Sequence, residues 1–449
     1  MRSLLKVRVG VRRSELVPVN PGSGPPVNSQ VDRLGPPGGE RPRRGKRLAE
    51  RDLGAVPALA GLVVFAALFS FLRPSFLSAG NFANLITQGA AVTIIAMGLI
   101  FVLILGEIDL SVGYTAGLGG AVMAVLLHNG EVPWYLAVPA ALAAGLVVGL
   151  CLGLIVARTA IPSFIVTLAV LLGLQGVVLV LIGNAGLSVS DKTVLAITNS
   201  TISPRTGWLV WGACVLAYGM TEVRRKRKGT HHRRSGESTM WAIWRVVAVT
   251  GLSAACVFVL NLERSANPAV VSHKGVPIVV PGIALLLLWW TFVLRRTVYG
   301  RRLYAVGRDP QKARQAGIDL VRVRVSAFVI CSTMATIGGI VATSRTNSVD
   351  AETGGVNVLL YAVAAAVIGG TSLFGGRGRM LDAVLGGAVV AVIDNGMELM
   401  GYSVGVKYIV TGALLLAVAG IGVLSQAASR DGKPNRDQPS PRTRSAGPA

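Results

Sequence analysis

Residues 91–127 read AVTIIAMGLIFVLILGEIDLSVGYTAGLGGAVMAVLL. Sixteen apolar or small residues lead to two carboxylates, Glu107 and Asp109, and a second apolar run follows at once. An uninterrupted segment of about 20 apolar residues is long enough to cross a bilayer as a helix. Two such segments joined by a short acidic break point to a membrane protein and set the question of what the acids do there.

The rest of the chain repeats the pattern. Of 449 residues, 52% are hydrophobic and only 14% charged, with a mean hydropathy of +0.60. A water-soluble chain of this size needs more charge to coat its surface, so the composition excludes that class. Apolar segments lie near 54–72, 82–105, 110–127, 134–157, 161–182, 206–221, 240–262, 278–294, 325–343, 358–374, 381–400 and 405–424. The fold expected is all-α and polytopic, with about 10–12 transmembrane helices. The pairs flanking 106–109 and 375–380 are the least separable. The domain reading is a basic, Pro- and Gly-rich disordered tail over 1–52, a transmembrane domain over 53–425 and a second disordered tail over 426–449.

The net charge of +23 invites a nucleic-acid reading, and its distribution rejects it. The N-terminal tail holds 12 Lys and Arg, the loop 222–239 seven, the loop 295–324 nine and the C-terminal tail five, which is 33 of the 44. In a twelve-span zigzag all four segments fall on one side. The positive-inside rule makes that side, and both termini, cytoplasmic. The run RRKRK at 224–228 then orients the chain and meets anionic membrane lipids.

Chemistry-bearing patterns are sparse. The cysteines, Cys151, Cys214, Cys256 and Cys331, fall in apolar stretches without CxxC spacing and read as small packing residues. The four histidines are scattered, so no metal site is expected. No GxxxxGK[ST] phosphate loop is present, and GGTSLFGGRG at 369–378 has glycines without the Lys-Ser/Thr pair. It reads as tight packing or a helix break. Asn184, Asp382, Asp394, Asn395 and Glu398 are polar within apolar segments. Asp394 and Glu398 share a helix face with Asn395 between them, a candidate pathway or gate.

The connector YGRRLYAVGRDPQKARQAGIDLVRVR, 299–324, is more informative. Asp309 suits a helix N-cap, Pro310 the first helical position and Gly317 the residue past the end. The short helix they bound projects Lys312 and Arg314, with Arg308 just before the cap. A rigid basic helix between spans is what a membrane protein needs to receive force from a soluble motor.

With these stretches in hand a resemblance becomes specific. SFLSAGNFANLI (75–86), EIDLSVG (107–113), IPSFIVTLAVLLGLQG (161–176), GRRLYAVGRDPQKARQAGI (300–318) and AAVIGGTSLFGGRG (365–378) occur in the order found in permease subunits of bacterial ABC sugar importers of the ribose/xylose/galactose branch. The chain resembles that family over about 54–424. Glu107 before Asp109, Ser111 and Gly113, with DNGMELM at 394–400, is most similar to the xylose type. The resemblance implies a coupling loop at 295–324 and a pathway for a monosaccharide, a pentose such as xylose. It implies no catalysis in this chain and no cofactor, ATP and Mg being bound by a partner. The implied partners are an ATP-binding subunit, an extracytoplasmic sugar-binding protein and a second permease copy as a homodimer, in the bacterial cytoplasmic membrane, with no nucleic acid. The alternative class is an ion-coupled secondary transporter using Glu107, Asp109 or Asp394, against which no internal repeat is evident.

Overall fold

The computed structural model describes residues 56–128, 132–183, 185–229, 239–265, 273–413 and 416. The two tails, Asn184 and the central part of the 222–239 loop lie outside the described residues. The helices in chain order are α1 (Val56–Leu72), α2 (Ala79–Ile104), α3 (Val112–His128), α4 (Trp134–Arg158), α5 (Ser163–Ile182), α6 (Lys192–Asn199), α7 (Pro204–Gly229), α8 (Thr239–Leu260), α9 (Val279–Arg296), α10 (Val298–Arg308), α11 (Pro310–Gln315), α12 (Leu320–Thr346), α13 (Val356–Ile368), α14 (Met380–Leu399) and α15 (Val404–Ala413). A 3-10 turn spans Pro74–Leu77, and among the described residues there are four two-residue strands: β1 (Leu187–Ser188), β2 (Thr201–Ile202), β3 (Val276–Pro277) and β4 (Ser348–Val349).

Each apolar segment read from the sequence overlaps a helix among the described residues, although 369–374 is a turn and most of 414–424 lies outside the described residues. Among the described residues six helices, α2, α4, α5, α9, α12 and α14, are long and apolar enough to cross a membrane. Five shorter apolar helices stand beside them among the described residues: α1, α3, α13, α15 and the Val246–Leu260 part of α8. α3 begins after the non-helical stretch 105–111, in which Leu105, Asp109 and Ser111 are buried.

Burial sorts the helices. About two thirds of the apolar window of α2 and of α12, and 72% of that of α14, is inside, against 11% for α9. α12 forms the centre and packs on α2, α3 and α4. The approach to α4 is close because Gly145, Gly149 and Gly153 recur every fourth residue on the face that meets Thr336, Val329 and Val325. The outward faces are apolar: Phe164, Ile165, Leu168, Leu172 and Val180 of α5 are all exposed. That surface suits hydrocarbon, where association comes from packing and not from water exclusion. Cys331 is buried as expected, but Cys151 and Cys214 lie on the outward surface instead of packing inside.

The connectors gather at two ends. At one, β1 pairs antiparallel with β4 through Leu187 and Val349, β2 pairs with β3 through Thr201 and Pro277, and Thr198 and Asn199 of α6 bond to Ser344 of α12. At the other lie 105–111, 297–319 and 369–379.

Candidate coupling site and polar gate

The connector between α9 and α12 is narrower and more helical than the 295–324 loop read from the sequence. Residues 295–296 and 320–324 belong to the flanking helices, and 298–308 is itself a helix, capped where Thr297 accepts a hydrogen bond from Gly300 N (3.3 Å). The basic side chains of α10 keep to one face while Leu303 and Val306 are buried. The amphipathic α10 is therefore laid against the bundle instead of hanging free.

α11 follows at once, where the sequence places it. Asp309 Oδ1 accepts from Lys312 N (3.0 Å), and Lys312 Nζ lies 2.9 Å from Asp309 Oδ2. That backbone hydrogen bond, then the Lys312 side chain, holds the Asp309 carboxyl below the usual carboxylate range. Ala313 is the buried anchor; Arg308, Pro310, Lys312, Arg314 and Gly317 are exposed. Gly317 has φ +78°, and Ile318 N donates back to Ala313 O (3.0 Å), closing the helix as a glycine-terminated end does. Asp319 then caps α12 through Arg322 N (3.1 Å).

α10 is fastened to the bundle by backbone. A Cβ on Gly307 would collide with the carbonyl oxygen of Ile104, the last residue of α2. Gly376 N donates to that same carbonyl (2.8 Å), and the Phe374 carbonyl lies against Gly106. Tyr304 OH donates to Gly378 O (2.6 Å). Three stretches singled out in the sequence, the acidic break, the coupling connector and GGTSLFGGRG, thus meet in one glycine knuckle. GGTSLFGGRG is a tight turn, with Gly370, Gly375 and Gly376 at positive φ.

The acids divide between two depths. Glu107 Oε1 pairs with Arg324 Nε of α12 at 3.2 Å, near the connector. From there the chain runs inward as a non-helical segment, and Asp109 is fully buried against Cys331. Cys331 lies eleven residues into α12, about 16 Å along its axis at 1.5 Å per residue. Non-helical backbone at that depth needs partners. Ile108 N donates to Ser163 Oγ (3.2 Å) and Thr167 Oγ1 donates to Ile108 O (3.2 Å), so the Ser and Thr of PSFIVT answer the break in EIDLSVG. Asp109 Oδ1 accepts from Ser111 N (3.0 Å) and Ser111 Oγ (2.6 Å), where a negative group suits the start of α3. Asp109 Oδ2 is buried with no hydrogen-bond partner. Gly113 packs on the carbonyls of Gly354 and Gly355.

At the opposite ends of α2 and α14 the sequence-derived group Asp394, Asn395 and Glu398 gains partners that the sequence reading missed. Asn81 Nδ2 donates to Asn395 Oδ1 (2.8 Å), and Asn395 Nδ2 to Gln88 Oε1 (3.2 Å). Gln88 Nε2 donates to Asp394 Oδ2 (2.6 Å) and Glu398 Oε2 (3.0 Å). Lys407 of α15 closes the group, 3.3 Å from Asp394 and 3.8 Å from Glu398. Tyr361 stands beside Asp394 and tilts against Tyr408, ring centres 6.4 Å apart. Asn81 and Gln88 are seven residues apart, two helical turns on one face, a signal available in the sequence had it been sought. Asp382 does not join them: it accepts from Arg379 N (2.8 Å) and Thr371 Oγ1 (3.2 Å) at the start of α14. Among the described residues no group of three or more His, Cys, Asp or Glu is placed to hold a metal ion.

The family described as branched-chain amino acid transport system / permease component matches residues 81–419. The chain is 35% identical over 361 residues to the xylose transport system permease protein XylH of Escherichia coli (strain K12), covering 80% of this chain and 88% of that one. It is 32% identical to the protein of the same name from Haemophilus influenzae, over 80% of this chain and 93% of that one. It is 28% identical to the ribose import permease protein RbsC of Escherichia coli (strain K12), over 80% and 90% respectively. No solved structure matches the chain.

Proposed function

The chain belongs to the family of branched-chain amino acid transport system permease components, and from that premise we propose that it carries a pentose, xylose first, across the cytoplasmic membrane for an ATP-driven importer. It is a multi-pass sugar permease and not an enzyme, and ATP is hydrolysed on a separate subunit. An extracytoplasmic binding protein delivers the sugar, and two permease copies form the pathway between them. α11 faces the cytoplasm and seats in the ATP-binding subunit.

The observation that carries this reading is the course of α2 and α14. Each touches the glycine knuckle at one end, through Ile104 and through the turn before Met380. Each carries half of the polar group at the other, Asn81 and Gln88 on α2, Asp394, Asn395 and Glu398 on α14. From Ile104 to Gln88 is about 24 Å of helix, and from Met380 to Asp394 about 21 Å. A push on α11 passes through α10 into the knuckle and tilts two rods whose far ends share exchangeable side-chain bonds beside the close packing of Gly89 on Ala391. The carboxylates and amides there are the groups that recognise sugar hydroxyls, and Tyr361 and Tyr408 offer apolar faces to a sugar ring. Weak, shared bonds suit a pathway that must also release its cargo.

The test is reconstitution in liposomes with the neighbouring ATPase and binding protein. Xylose-stimulated ATP hydrolysis and uptake, with ribose the poorer substrate, are expected. Uptake that survives ATP depletion under a maintained proton gradient would sink the reading; equal or better uptake of ribose would remove only the xylose assignment.

A further inference from the structure

The turn that closes the knuckle also displays an apolar side chain. Phe374 is 79% exposed and Leu373 beside it 37%. The backbone beneath is pinned. Ser372 N donates to Arg377 O (3.1 Å), Phe374 N to Ser372 Oγ (3.2 Å) and Gly375 N to Ser372 O (3.4 Å). Gly376 N reaches Ile104 O and Tyr304 OH reaches Gly378 O, as above. The turn that carries the ring is thus fixed to the bundle, and the ring stands off it with its apolar faces open, where covering them is favourable.

Position says what covers it. The Phe374 carbonyl lies against Gly106, and the aliphatic part of Arg308, the last residue of α10, lies over Gly376. Phe374 thus stands two residues before Gly376, which lies under Arg308, itself two residues before α11 begins. Trp and Tyr are the residues enriched at the membrane interface. Phe374 is neither, and it sits on a connector, six residues before α14 begins, with Arg377 and Arg379 following it.

We infer that Phe374 is a second contact for the ATP-binding subunit, an apolar plug beside the basic α11, filling an apolar depression on that subunit. The inference rests on the coupling reading given above. Its value to the machine is leverage. A push delivered only to α11 reaches the knuckle through α10, whereas a push on Phe374 acts on the knuckle directly and on the turn that leads into α14. The two contacts together fix the direction of the force as well as its point, because one contact alone leaves the partner free to pivot.

A photo-crosslinking amino acid placed at Phe374 and, separately, at Arg314 tests this in membranes holding the full transporter. Both positions are expected to capture the ATP-binding subunit. Capture from Arg314 with only lipid or the second permease copy captured from Phe374 overturns the inference and leaves the coupling reading standing. Capture from neither position overturns the coupling reading itself. In a second arm, Phe374→Asp is expected to lower retention of the ATP-binding subunit by about tenfold or more, the loss of one well-packed aromatic anchor, while Phe374→Leu retains it. Unchanged retention in Phe374→Asp, with the permease present in the membrane at normal amounts, overturns the inference.

Discussion

At one end of α2 and α14, Ile104, Gly307 and Gly376 meet backbone to backbone; at the other end of the same helices Asn81, Gln88, Asp394, Asn395, Glu398 and Lys407 meet through side-chain tips. Backbone contact leaves no rotamer to adjust, so displacement on one side of the knuckle appears on the other. Side-chain contact has slack and alternatives. A carboxylate can trade an amide for an ammonium group or a hydroxyl with little movement of its helix. On the proposed function both are needed: rigid transmission at the coupling end, and replaceable bonds along the pathway.

The sharpest way to break that contrast is Gly307→Val. Its side chain points at the Ile104 carbonyl, and relief requires the knuckle to open. Overpacking of this kind costs about 1–3 kcal/mol, occasionally more. Thermal unfolding in detergent should fall by several degrees and sugar-stimulated ATP hydrolysis should be lost. A variant with normal coupling would show the knuckle to be passive.

The polar end should respond differently. Asn395→Leu removes the acceptor for Asn81 and the donor to Gln88, and an amide left unsatisfied when buried costs about 1–3 kcal/mol. Xylose uptake should drop, or become leaky, while the ATP-binding subunit still binds. Lys407→Met leaves Asp394 and Glu398 facing each other without their cation and should shift uptake in the same sense. Loss of ATPase binding in either variant would mean that the two ends are not separable.

Two smaller effects sharpen the coupling end. Gly317→Ala forces a side chain into left-handed backbone at about 1–2 kcal/mol, loosening the close of α11. It should lower uptake per ATP hydrolysed without lowering permease levels. Asp309 gives the weakest and most specific signal. Its carboxyl is held below the ordinary range in the folded protein, so its support for α11 is full above the ordinary carboxylate pKa and is lost as pH falls through the depressed value. Coupling should therefore decline on the acid side in the wild type. It should not do so in Asp309→Asn, since Asn caps a helix without titrating. An identical acid limb in both would remove Asp309 from the account.

What could be read in advance follows one physical division. The helical, membrane-embedded class came from hydropathy and length. α11 came from Asp309, Pro310 and Gly317, and the candidate gate from the four-residue spacing of Asp394 and Glu398. Each of these is a local fact, because a helix bonds residues three or four apart and a lipid solvent acts on a segment as a whole. The chain could not announce that Ser163 and Thr167 would feed the backbone of Ile108, that Asn81 would meet Asn395 across 314 residues, or that Gly307 and Gly376 would share one carbonyl of α2. Those pairings depend on which helix faces pack together and at what depth. That is fixed by the fit of the whole bundle, so tertiary structure alone decided that the acidic break climbs inward and that the glycine knuckle and the polar group lie at opposite ends of α2 and α14.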